Sequence, residues 1–364
     1  MIVKQITEIL EELAPLDYAE DFDNVGLLLG DPQMRVSGIL VSLDTLENVV
    51  DEAIDKNRNL IVSFHPIIFK GLTKITGRNY VERVVLKCIQ NNIALYSMHT
   101  ALDNMNTGVN AKICEVLGIL HPKILIPQKG TIKKLTTYVP VAEAGALKEA
   151  LFAAGAGNIG KYANCSFSVN GTGSYLAKPG AHPTKGAIGA VHYEEEVQIG
   201  VIYPKNKEKQ VLSSLFEQHP YEEVAYEIQT LENSNQDIGM GMVGELEGPM
   251  EAFAFMQLLK ERMNVSMIRH TELPKKKIKR IAVLGGSGAF AIGAAKMANA
   301  DMFITSDIKY HQFYEAENKL VIADIGHYET EQFTKNLIVD HLTKKIPNFA
   351  VSLAESITNP IKYF

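Results

Sequence analysis

Short apolar runs and helical patterns take turns along this chain, and that alternation restricts the folds open to it. GILVSLDT (38–45), LIVSF (60–64) and IALYSM (93–98) read as strands, and helical spacing fills about 47–56, 80–91 and 108–117 between and after them. Strands alternating with helices build βαβ units and an open α/β sheet. A helix precedes the first strand: Ile6, Ile9, Leu10 and Leu13 share a face, and Pro15 stops the run. The pattern resumes late in the chain. A helix at GPMEAFAFMQLLKERM leads to the strand and turn KRIAVLGGSGAF and the helix AIGAAKMANA. The strand MFITSD, the helix HQFYEAEN, the strand LVIADIG and a helix over about 329–343 follow.

Between these halves the texture differs. KLTTYVP reads as a strand, AEAGALKEALFAAG as an Ala-rich helix, and NCSFSVNGTGSYLAKPGAHPTKGAIG as a Gly-rich, hairpin-like passage whose NGTGS and KPGAHPTKG are loop chemistry. The strand VQIGVIYP, the helix KEKQVLSSLFEQ and a final strand at HPYEEVAYEIQTL complete it, with Tyr221 and Tyr226 packing. This order is close to a ferredoxin-like α+β unit. The polar LENSNQD reads as the exit linker. Residues 131–236 are therefore expected as a compact domain inserted into a discontinuous α/β domain formed by 1–130 and 237–364, its two ends meeting the host in adjacent loops.

Chemistry concentrates where the strand-like runs end. LIVSFHP carries His65; IALYSMHTALDN carries His99 and Asp103; MFITSDIKYH carries Asp307 and His311; LVIADIGHYETE carries His327 and Glu331. Ligands of open α/β sheets collect at the carboxyl ends of the strands, and a set of histidines and carboxylates assembled there is divalent-metal chemistry. Each residue also has a plain alternative. His65 could be satisfied by a carbonyl, although Pro66 holds it extended at a strand end. Asp103-Asn104 is good turn chemistry. His327 and Glu331 share a helix face at four-residue spacing, but Glu331 could instead offset a helix dipole. Asp307 and His311 repeat that spacing. GGSG (Gly285–Gly288) could aim backbone N–H groups at an anion, or simply make a tight turn. No metal spacing links His182, His192 and His219.

Composition excludes several classes. The net charge is −6 and KKKIKR (275–280) is the one short basic run, which argues against nucleic-acid binding. The three cysteines are scattered without a CxxC, as expected in a reducing compartment. No apolar run approaches membrane-spanning length, and MIVKQITEILEELAP reads as an amphipathic helix rather than a signal peptide. A cytoplasmic protein is expected.

Taken in order, DFDNVGLLLGD, SLDTLENVVDEA, FHPIIF, HTALDN, GGSG, SDIKYH, DIGHYETE and the terminal NPIKYF resemble the NIF-three-like family, whose bacterial members are often named GTP cyclohydrolase I type-two homologues. The resemblance runs over residues 1–364, and NGTGS with HPYEEVAYEI resembles the PII- or CutA-like insert of its long form. It implies a two-metal site with His65, Asp103, His327 and Glu331 as ligands and Glu331 as the bridge. The family usually has two adjacent histidines before the proline. Phe64 takes the first of these positions here, so one firm site (His65, His327, Glu331) and one weakened site (Asp103, Glu331) are expected. Phe22 stands where tryptophan is common. The resemblance also implies a toroidal homohexamer.

Two functions remain open at this level. One is a metal-dependent hydrolase of a nucleotide-like substrate, with one or two Zn, Mn, Fe or Ni ions per chain and with His99, Asp307 or His311 as orienting groups or general base. The other is a non-catalytic metal-binding or regulatory assembly, which the insert favours, with a small-molecule ligand.

Overall fold

The computed structural model describes all 364 residues. The chain divides into two compact units, Met1–Pro127 with Gln236–Phe364, and Gln128–Asn235. Its strands are β1 (Gly26–Leu29), β2 (Ile39–Ser42), β3 (Leu60–Ser63), β4 (Ala94–Ser97), β5 (Leu120–Gln128), β6 (Ile132–Pro140), β7 (Phe167–Leu176) and β8 (Val191–Pro204). There follow β9 (Tyr226–Leu231), β10 (Asn235–Met250), β11 (Arg269–His270), β12 (Ile278–Ser287), β13 (Met302–Ser306), β14 (Val321–Asp324) and β15 (Val351–Leu353).

The first unit holds two sheets rather than the single open sheet expected. One has the order β1-β4-β3-β2-β15 and the other β11-β14-β13-β12-β10-β5. In the first, β15, β2, β3 and β4 are parallel and β1 is an antiparallel edge. ILVS, LIVS and ALYS are buried along their whole length. Parallel strands covered on both faces need such continuous apolar runs. The helices Glu47–Asp55 and Tyr80–Gln90 pack Val49, Val50, Val84 and Cys88 against Leu40, Ile61 and Leu95. In the second sheet β12, β13 and β14 are parallel, while β10 runs antiparallel to β12 and β11 to β14.

Register fixes the functional edge. Ser42, Ser63 and Ser97 lie side by side at the ends of β2, β3 and β4. Asp44, His65 and His99 each come two residues later, so they leave the sheet at one edge. In the second sheet Ser287 pairs with Ser306 and Thr305 with Asp324, which brings Asp307 and the turn before His327 to a matching edge.

The second unit runs β6, helix Ala144–Ala153, β7, β8, helix Glu208–Gln218, β9, with the antiparallel order β7-β8-β6-β9. Leu135, Val139, Leu147, Leu151, Ile199, Val201, Val211 and Leu215 form its core. Three details differ from the sequence reading. NGTGS lies inside β7, because its residues pair with β8 from Asn170–Val197 to Ser174–Tyr193. The last strand begins at Tyr226, so HPYEE precedes it. The polar stretch 231–237 is shared between the end of β9 and the start of β10. No helix is long and apolar enough to cross a membrane.

Candidate metal centre

Three side chains of the first unit converge: His65 after β3, and His327 and Glu331 on the short helix His327–Glu331 that follows β14. Their ligand atoms all lie within 4.8 Å of one another. Glu331 Oε2 is 3.1 Å from His65 Nε2 and 3.3 Å from His327 Nε2. The four-residue spacing places His327 and Glu331 on one face of the helix, as read from the sequence.

Carboxylates fix both imidazoles from behind. His65 Nδ1 donates to Asp44 at 2.8 Å, and Thr358 in turn donates to Asp44 at 2.6 Å. His327 Nδ1 donates to Asp307 at 2.6 Å, and Ser287 also donates to Asp307. With Nδ1 engaged in each ring, Nε2 is the atom turned to Glu331. A carboxylate behind each imidazole orients a metal-binding histidine and makes it more basic.

Charge is concentrated here. Burial disfavours the charged form of His65, but Asp44 and Glu331 outweigh it and lift its pKa to about 10. Burial is likewise overcome at His327, which Glu331 and Asp307 raise to about 9. The same contacts overcome burial at Glu331 and hold its pKa at about 2. Asp103 is pushed the other way, well above the carboxylate range, by complete burial and the nearby Glu331. Asp103 Oδ1 is buried without a hydrogen-bond partner, and the buried Glu331 Oε2 faces only the two imidazoles. An unpartnered Asp103 oxygen, and a Glu331 oxygen that meets only the two pre-oriented Nε2 atoms, fit a divalent cation, whose charge would satisfy both.

The glycines of GGSG serve Glu331 rather than an anion. Gly285 N–H donates to Asn110 Oδ1 at 2.9 Å and Gly286 N–H to Thr330 Oγ1 at 2.9 Å, so neither is free. Gly286 has φ +71°, and a Cβ there would lie 2.5 Å from Glu331 Oε1. Gly285, Gly286 and Ser287 form the end of β12, at a register shift against β13 between Val283 and Ser287, so the segment is neither the tight turn nor the anion cradle.

Asp103, His99, His327 and Glu331 line one cavity of about 290 Å³, whose mouth carries the exposed Phe22 and Phe290. His99 donates from Nδ1 to Asp23 at 2.8 Å, and Asp23 also accepts from the Thr100 N–H and hydroxyl. Asp307 sits behind His327 as an orienting group. His311 is exposed between the rings of Tyr310 and Tyr314 and does not join the cluster.

A family model described as Duf34/NIF3 (NGG1p interacting factor 3) matches residues 1–360. The chain belongs to this family. A Bacillus subtilis relative named GTP cyclohydrolase 1 type 2 homolog is 36% identical, with 99% of this chain and 98% of the relative aligned. A Staphylococcus aureus relative of the same name is 32% identical over the full length of both. Among solved structures, a Bacillus cereus protein related to NIF3 superposes with a TM-score of 0.87 at 33% identity, covering 100% of this chain and 99% of that one.

Within this Duf34/NIF3 chain, Phe64 is fully buried. Its ring packs 4.9 Å from His65 and 5.5 Å from His99. It is thus an apolar wall against the two imidazoles, at the position where the resemblance implies a histidine. Asp44 and Asp23 were not singled out from the sequence. The available signal was their setting: Asp44 stands two residues past its strand, as His65 and His99 do.

Proposed function

We propose that the first unit binds a divalent metal ion through His65, His327 and Glu331, with Asp103 facing the same cavity, and hydrolyses a small nucleotide-like substrate there. The observation that carries this reading is the His65–His327–Glu331 cluster, with the unpartnered Asp103 oxygen on the same cavity. A bound divalent ion would supply water activation and neutralisation of negative charge. The protein's part is to hold the imidazoles through Asp44 and Asp307 and to keep Glu331 ionised. His99, fixed by Asp23, is the base candidate on the cavity wall. The exposed rings of Phe22 and Phe290 suit stacking on a nucleobase, and the names of the relatives point to the same substrate class.

Phe64 favours a second reading, a metal-binding regulatory assembly without turnover, because an apolar ring cannot help to hold a second ion. For the inserted unit, the strand order β7-β8-β6-β9 with a helix after β6 and after β8 supports a ferredoxin-like, PII- or CutA-like assignment. Self-association into a toroidal homohexamer and a cytoplasmic location belong to the same proposal, on the resemblance alone.

The test is metal content and turnover on a panel of nucleotides for the wild type, His327→Ala and Glu331→Gln, with folding followed by circular dichroism. Turnover and metal lost together in folded variants support the hydrolase. Metal lost from variants of a protein that turns over no nucleotide supports the regulatory reading.

A further inference from the structure

The inserted unit contains a cavity of about 560 Å³ between β7, β8 and the segments 177–184 and 221–225. That volume falls in the range of about 300–1,000 Å³ usual for small-molecule sites. We propose that this cavity binds a small organic cation, a primary ammonium or a guanidinium, with Glu196 as its counter-charge and tyrosine rings as its walls.

Glu196 is the key residue. It is 9% exposed, accepts one hydrogen bond from the Tyr221 hydroxyl at 2.7 Å, and has no ion pair. A buried carboxylate served by one neutral donor is poorly compensated. The basic groups nearby are engaged elsewhere. Lys185 and His192 both contact Glu194. His219 donates from Nε2 to the Tyr138 carbonyl at 2.9 Å and accepts the Tyr221 N–H on Nδ1 at 3.2 Å. Burial lowers its pKa, so it stays neutral. The cavity lining includes Glu222 and Glu223 besides Glu196, and no lysine, arginine or histidine. An anionic ligand would meet only like charge.

The rest of the lining suits a cation with an apolar stem. Tyr138, Tyr175 and Tyr221 all face the cavity, and the Tyr175 and Tyr221 rings meet edge to face at 6.0 Å. Aromatic faces attract ammonium and guanidinium groups through their quadrupole. NGTGS now has a physical role. Gly173 lies against the Glu196 carboxylate, where any Cβ would collide with it, and a Cβ at Gly171 would meet nothing within 4 Å. The two glycines leave β7 open over the carboxylate.

The experiment is isothermal titration of the full chain with n-butylammonium and n-butylguanidinium, with AMP and n-butanol as anionic and neutral controls. The expected result is saturable binding of at least one cation, weakened about 10-fold to 100-fold in Glu196→Gln, with no binding of AMP or butanol. Gly173→Ala, which displaces the carboxylate without removing it, is expected to weaken the same cation and keeps the test open if Glu196→Gln does not fold. No saturable binding of either cation overturns the proposal. So does equal binding by folded Glu196→Gln, or AMP binding that Glu196→Gln strengthens.

Discussion

Glu331 can reach both imidazoles because residue 286 has no side chain. A methyl at Gly286 would press on Glu331 Oε1 and would sit on a backbone with φ +71°. Gly286→Ala is therefore expected to lower stability by about 1–3 kcal/mol and to weaken metal binding, read by urea titration and by metal analysis. Asp23 makes a prediction about pH. Burial would raise its pKa, but His99 and Thr100 outweigh that and hold it at about 2, below the usual carboxylate value. Its contribution is complete above about pH 4 and is lost as the pH falls toward 2. The gap in urea midpoint between wild type and Asp23→Asn should accordingly shrink between about pH 4 and pH 2. An unchanged gap would mean that Asp23 is not ionised as described. At this scale the sequence displayed His65, His327 and Glu331, because histidines and carboxylates at strand ends are conspicuous. It did not distinguish Asp307 from His311, since both fit the same spacing. Only the fold shows that Asp307 backs His327 while His311 stays in solvent.

The strands and helices of the α/β pattern were legible because buried parallel strands carry unbroken apolar runs and the helices carry one apolar face. The edges were not. β10 passes through GMGMVGELEG, whose glycines break the apolar run that marks a strand. Gly244 is required there because a Cβ would lie 2.6 Å from Ile119 Cγ2 and 2.7 Å from the Leu120 carbonyl. Missing β5 and β10 made two sheets look like one. The helix Val109–Leu117 shows how an element supports the site at a distance. Its Asn110 is buried, accepts the Gly285 N–H and donates to the Asp103 carbonyl at 3.3 Å. Asn110→Ala leaves that buried N–H unpaired, and a loss of about 1–3 kcal/mol is expected by urea denaturation. Loosening of the end of β12 under Glu331 should lower metal affinity in the same variant.

At the scale of the whole chain, two units with their own hydrophobic clusters predict two calorimetric transitions rather than one. The proposed metal ligands all belong to the first unit. A chelator should therefore lower one transition and leave the other in place, because a ligand stabilises only the folded state that binds it. A single transition that moves as a whole would contradict that independence. Metal per chain would be measured in protein purified without chelator, for the wild type, Glu331→Gln and Phe64→His. About one divalent ion per chain is expected in the wild type, almost none in folded Glu331→Gln, and a rise toward two in Phe64→His. A metal-free wild type, or a Glu331→Gln variant with undiminished metal, would contradict that expectation.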